Sequence, residues 1–142
     1  MTIQRFMPIA SSAIMLSKQG DYVRYSDYLE HLNLSPAAAD VLAERHRQIA
    51  VKGWTPEHDD EQNQYGDLAI AASCYARHAY SRGWVYNPES PEKYQDEEIP
   101  DDWPWDDTWW KPTDPRRDLV KATALLLAEL ERLDRQSQGS QK

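Results

Sequence analysis

The sequence of 142 residues is poor in cysteine, phenylalanine, glycine and basic charge. Cys74 stands alone, so no internal disulfide and no cysteine-based zinc site can form. The five glycines, Gly20, Gly53, Gly66, Gly83 and Gly139, are far apart, which excludes a glycine-rich phosphate loop; no HExxH is present either. Lys and Arg number 16 against 24 Asp and Glu, a net charge of −8. That balance argues against binding a nucleic-acid backbone, whose affinity comes from Lys and Arg. No apolar run approaches the 18 or so residues of a membrane-spanning helix. Pro8, Ser11 and Ser12 interrupt the apolar stretch from Phe6 to Leu16, so no signal-length core follows Arg5. A cytoplasmic protein with a reduced thiol is the expectation.

The aromatic residues are distributed unusually. One Phe stands against 6 Trp and 8 Tyr. Trp and Tyr each carry a polar atom that wants a partner, so they suit half-wet surfaces better than dry cores. Trp103, Trp105, Trp109 and Trp110 fall within eight positions. Acidity is concentrated too. From Pro56 to Asp118 there are 16 acids and 6 bases, a net of −10, whereas the rest of the chain is near neutral.

Length and pattern predict a single domain over 1–136, mainly α. The expected architecture is a bundle of three or more helices with a small N-terminal β-hairpin and a long Trp/Pro/Asp-rich loop. The hairpin arm, within residues 1–30, pairs the apolar Ala13–Leu16 with the alternating Tyr22–Arg24 across turn residues Gly20 and Asp21. Ser26 could cap a short helix after it. Ser35-Pro36, Thr55-Pro56 and Asp114-Pro115 each join a capping residue to a proline, a helix-start signature. Helices are therefore expected from Pro36 to Lys52, from Pro56 or Asp67 to Ser81, and from Pro115 to Gln136. Gly66 leaves room for a fresh start at Asp67. In the last helix Leu119, Val120, Ala122, Leu126, Leu127, Leu130 and Leu133 form the expected core stripe. Residues 84–114 hold five prolines and no period, yet their aromatics predict an ordered wrap on the helices. Residues 137–142 read as a flexible tail.

Four constellations could carry chemistry. Glu57, His58, Asp59, Asp60 and Glu61 place Glu57 and Asp60 on one helix face, with Asp67 and His78 on the same stripe if the helix is continuous. Such acids could hold a hard cation, and a first-turn position would equally favour them. On the last helix Asp118 and Glu129 edge the apolar face, and Glu131 pairs with Asp134 at i, i+3. Their alternative is ion pairing, Asp118 with Lys121 or Arg117 and Glu131 with Arg135. Arg45 points into an apolar stripe, where it meets a carboxylate or a phosphate, and His46 reads as a surface histidine. Last, Asp101, Asp102, Trp103, Trp105, Asp106, Asp107, Trp109 and Trp110 form an acid-flanked aromatic run. It is either a partner-binding surface with Trp anchors or a plug for the loop's own core. Cys74 sits among alanines and reads as a small buried hydrophobe.

Two stretches carry resemblances. Gly20 to Tyr28 resembles the opening of many small accessory proteins of tailed phages and prophages. Ala43-Glu44-Arg45-His46-Arg47-Gln48-Ile49, Gly53-Trp54-Thr55-Pro56-Glu57-His58-Asp59-Asp60, Trp103-Pro104-Trp105, Trp109-Trp110-Lys111-Pro112 and Arg116 to Ala122 are similar to the same widespread group. The group carries no firm activity; the acidic, Trp-studded loop points to an accessory protein that binds and inhibits or modulates a host protein with a basic surface. A defence or nucleic-acid-handling complex such as a CRISPR system is one such target. In this reading no cofactor is expected, the charge argues against direct nucleic-acid contact and the lack of a long apolar run against a membrane; a homodimer is open, and a plain scaffold or dimerising bundle is a further reading. Glu57/Asp60 and Glu131/Asp134 also resemble the ExxD pairs of all-α MazG-like nucleoside triphosphate pyrophosphohydrolases, although no ExxE is present. In that alternative Glu57, Asp60, Asp67 and Glu129 would hold Mg²⁺, Arg45 and Lys121 would meet phosphate, and a tryptophan would stack the base.

Overall fold

The computed structural model describes residues 14–16, 22–24 and 33–140. It is mainly helical, and it divides into two compact units, Met1–Gln62 and Asn63–Lys142, where the sequence reads as one domain.

In the first unit, strands β1 (Ile14–Leu16) and β2 (Tyr22–Arg24) pair antiparallel, Ile14 opposite Arg24. The turn of the expected hairpin and the helix start at Ser26 lie outside the described residues. Helix α1 spans Pro36–Ala50 and α2 spans Pro56–Gln62. Both open at the expected prolines. Ser35 Oγ accepts from the Ala38 N–H at 3.2 Å, and Thr55 Oγ1 accepts from the His58 N–H at 3.1 Å. Gly53, at φ 75°, makes the left-handed bend between them that a side chain would resist.

The second unit holds α3 (Asp67–Arg82), the single-turn α4 (Glu92–Gln95) and α5 (Pro115–Ser140). Both expected starts, Pro56 and Asp67, are used, and the two helices are separated by residues 63–66. Gly66 sits at φ 83°, and no side chain caps α3 there. Helix α5 opens at Pro115, with Asp114 Oδ1 accepting from the Arg117 N–H at 2.8 Å. It runs four residues past its expected end, through Gly139 to Ser140.

Helices α3 and α5 pack along each other. Their contact faces are rich in small residues: Ala71, Ala72 and Ala79 on α3, and Ala122, Ala124 and Ala128 on α5, all buried. Small side chains let the axes approach closely. This corrects the expected core stripe of α5. Val120, Ala122 and Leu125 are inside, but Leu119, Leu126, Leu130 and Leu133 are exposed on the other side. The segment between α3 and α5 is ordered, with short 3-10 turns at Gly83–Val85 and Asp107–Trp109.

Candidate functional site

Helix α1 buries a polar set at the first unit. Glu44, Arg45, His46 and Gln48 are all inside, together with Asp59 of α2. Arg45 lies 3.6 Å from Asp59 Oδ2 and donates to the Trp54 carbonyl at 3.4 Å. It therefore serves a carboxylate and a backbone oxygen, which takes it out of the phosphate role. Glu44 accepts from Arg47 through both oxygens, at 2.7 and 2.9 Å, and from Gln48 at 3.1 Å. His46 is not the expected surface histidine: it is buried, and burial holds its imidazole below the ordinary value. The 3.6-residue turn carried His46 off the apolar stripe, but that flank is inside as well.

At the second unit the chemistry gathers around Asp118, which is fully buried in the first turn of α5. Its Oδ2 accepts from the Tyr94 hydroxyl at 2.5 Å, and its Oδ1 from the Thr113 N–H at 3.0 Å. Lys121 Nζ is 3.6 Å away and donates to the Lys111 carbonyl at 2.6 Å and Thr113 Oγ1 at 2.8 Å. It also lies 5.3 Å from the Tyr75 ring centroid. Lys121 therefore binds the loop to α5 rather than a phosphate. Burial pushes the Asp118 carboxyl above its usual range, against the downward pull of Tyr94, Thr113 and Lys121. His78 donates from Nε2 to the Tyr94 carbonyl at 2.9 Å, since a carbonyl can only accept, and burial holds its imidazole below the ordinary value.

The four clustered tryptophans mostly face inward. Trp110 stacks on Tyr75 at 4.7 Å between ring centroids and meets His78 edge-on at 5.5 Å. Trp103 packs edge-on against Tyr75, Trp105 and Trp110 at 5.6, 5.3 and 5.0 Å. Trp103 and Trp110 are buried and Trp105 is half-buried, with its Nε1 donating to Asn63 Oδ1 at 3.1 Å. Trp109 alone of the four is exposed. The expectation that Trp103, Trp105 and Trp110 face a partner is corrected accordingly. A ring of this size gains most by burial, and Trp103 and Trp110 obtain it against Tyr75 and His78 of α3.

The acids of the run do face solvent. Asp101, Asp102, Asp106 and Asp107 are exposed. Asp106 caps the turn at Thr108, accepting from its N–H at 2.9 Å, which holds its carboxyl below the usual range. Asp102 accepts from Arg77 at 2.7 Å through both oxygens, and that contact lowers it likewise. Cys74 lies beneath this pair with its thiol pushed up to about 11, so it is protonated and unreactive at neutral pH.

Beside the Arg77–Asp102 pair lies a face that composition did not single out. Arg77, Tyr80 and Trp84 follow one another at i, i+3 and i+7, hence on one side of α3 and its 3-10 extension. Tyr80 is 89% exposed and Trp84 81%. The Trp84 indole folds back to donate to the Ser81 carbonyl at 3.0 Å. With Tyr65, which is also 89% exposed, they are the most exposed aromatics of the unit's described residues, and Tyr80 and Trp84 share one side of α3. The signal available in sequence was the absence of either residue from the small-residue stripe of α3.

The acids proposed for Mg²⁺ are divided between the two units. Glu57 and Asp60 are exposed on α2, while Asp67 opens a new helix across the break at 63–66. Glu129 is bound by Arg132 through two contacts, at 2.7 and 3.0 Å. Among the described residues no group of three or more His, Cys, Asp or Glu side chains is placed to hold a metal ion. No helix among them is long and apolar enough to cross a membrane. Comparison with family models, with curated proteins and with solved structures finds no match to this chain.

Proposed function

We propose that this chain is a binding module of the phage accessory kind, which docks on a basic surface of a host protein and modulates it. Tyr80 and Trp84 serve as the anchors, and Asp101 and Asp102 as the acidic rim. The observation that carries this reading is the exposure of two large aromatics on one helix side, with the Arg77–Asp102 pair beside them. Exposed Trp and Tyr suit the centre of an interface, where a few residues supply most of the affinity. Surrounding acids speed encounter with a basic partner and make it salt-sensitive. The buried Trp103 and Trp110 support the reading indirectly, because they hold the acidic loop in one conformation before any partner arrives. A host defence or nucleic-acid-handling complex, which must carry a basic groove, is the class of target proposed.

The test is capture from host lysate by immobilised protein at low and high salt. Tyr80→Ala with Trp84→Ala is expected to abolish capture while leaving the thermal midpoint nearly unchanged, since exposed substitutions cost within about 0.5 kcal/mol. Asp101→Lys is expected to weaken capture and flatten its salt dependence. Undiminished capture by the double variant would refute the assignment of the anchors.

A further inference from the structure

Helix α5 carries a second apolar face that its own unit does not cover. Leu119, Leu126, Leu130 and Leu133 are 48, 47, 59 and 45% exposed. With Thr123 they recur at spacings of four, three, four and three, the a/d seam of a coiled coil. Thr123 does not interrupt the seam. Its hydroxyl donates to the Leu119 carbonyl at 2.7 Å, which satisfies the polar atom and leaves the methyl to pack. Leu119 to Leu133 extend over about 21 Å at 1.5 Å per residue, and Leu119, Thr123, Leu126 and Leu130 can form four interlocking layers with Leu133 flanking them. The opposite side of the helix, with Val120, Ala124 and Leu125, is buried, and α5 packs along α3. A monomer with this seam in water would expose a continuous leucine strip, which monomeric proteins avoid.

We propose that the seam is covered by α5 of a second copy, packed antiparallel. The ends of the helix are complementary to each other in that orientation. Arg116 is exposed at the first turn, and Asp134 is exposed just past Leu133, 18 residues on. In the antiparallel register Leu119 meets Leu130, Thr123 meets Leu126, and Arg116 lies beside Asp134 of the partner subunit. Opposed helix dipoles add to the preference. A parallel pair would instead align like charges and leave Arg116 about 27 Å from the opposite acid. The interface is isologous, the commonest form for soluble homodimers. It uses no residue of the proposed partner face, so it holds or fails independently of that reading.

Sedimentation equilibrium of the full chain, from low to high micromolar concentration, tests the proposal. A dimer is expected. Leu126→Glu with Leu130→Glu, both at exposed positions, is expected to weaken association at least a hundredfold with the helix content retained. Arg116→Glu and Asp134→Arg are each expected to weaken it severalfold, and the double variant to recover most of the loss. A native chain that stays monomeric overturns the inference, because some other cover or none then serves the seam. A dimer indifferent to the two glutamates overturns it as well, and places association elsewhere. Sensitivity to the glutamates without charge-swap recovery overturns the antiparallel arrangement.

Discussion

Asp118 shows how one carboxylate can organise a unit. It is buried in the first turn of α5, yet its partners come from 24 positions upstream, at Tyr94, and from the loop end at Thr113. Asp118→Ala would leave the buried Tyr94 hydroxyl and the partly buried Thr113 N–H without their acceptor and Lys121 without its carboxylate. A loss of about 3 kcal/mol is expected, read from the urea midpoint at unchanged slope. Asp118→Asn, which keeps an acceptor oxygen, should cost visibly less. Part of this was legible in the sequence. The i, i+3 spacing suggested the Asp118–Lys121 pair, and the lone cysteine among alanines was read as a buried hydrophobe. Tyr94 was not legible as the partner, because no local spacing relates a loop tyrosine to a helix acid. Nor was His46, since a periodicity argument knows one buried face and α1 hides a wider arc.

At the scale of elements, punctuation was more reliable than hydrophobicity. The three proline-marked starts were read from backbone sterics alone, and each opens a helix with its cap bonded to the third helical N–H. Those rules act within four residues, so tertiary context has little chance to override them. Ser35→Ala and Asp114→Ala are each expected to cost about 1 kcal/mol, measured by chemical denaturation. The stripe on α5 failed for the opposite reason. A helix with leucine on one side and alanine on another offers two apolar faces, and composition favours the larger side chains. Alanine won because α3 also presents alanine, and close approach of two helices buries backbone area that leucines would hold apart. The tryptophans were misassigned by the same reasoning: their polar nitrogens argued for a wet surface, yet Trp103 and Trp105 satisfy theirs internally on Asp106 and Asn63.

At the scale of the molecule, each unit buries, among its described residues, one histidine whose charged form burial disfavours, His46 in the first and His78 in the second. Both imidazoles bind protons less readily folded than unfolded. Below the ordinary value of 6.5 the unfolded chain therefore takes up protons that the folded chain refuses. The stabilisation is complete above that value and is lost as pH falls below it toward the folded values. Asp118 acts in the opposite sense, since its carboxyl keeps a proton above the ordinary 3.8. Its contribution is complete at and below that value and declines as pH rises through the folded one. Denaturation midpoints should accordingly fall between pH 7.5 and 5.5, by at most about 1.4 kcal/mol per pH unit for each histidine. His78→Gln, which can still donate to the Tyr94 carbonyl, should flatten that slope. Identical midpoints at both values would mean that the imidazoles are not held neutral.

The aromatic packing beside α3 also has an optical consequence. Trp103, Trp105, Trp110 and Tyr75 form a chain of rings whose neighbours lie 4.7–5.6 Å apart, most of them steeply inclined to one another. At such separations the ring transitions couple and contribute circular dichroism of their own, in the same far-ultraviolet region as the peptide bands. The folded protein's spectrum is therefore a sum of helix and exciton signals. Helix content read from ellipticity alone will be in error by the coupled part, and the sharp near-ultraviolet bands of the same rings will vanish when the loop detaches, whether or not the helices melt.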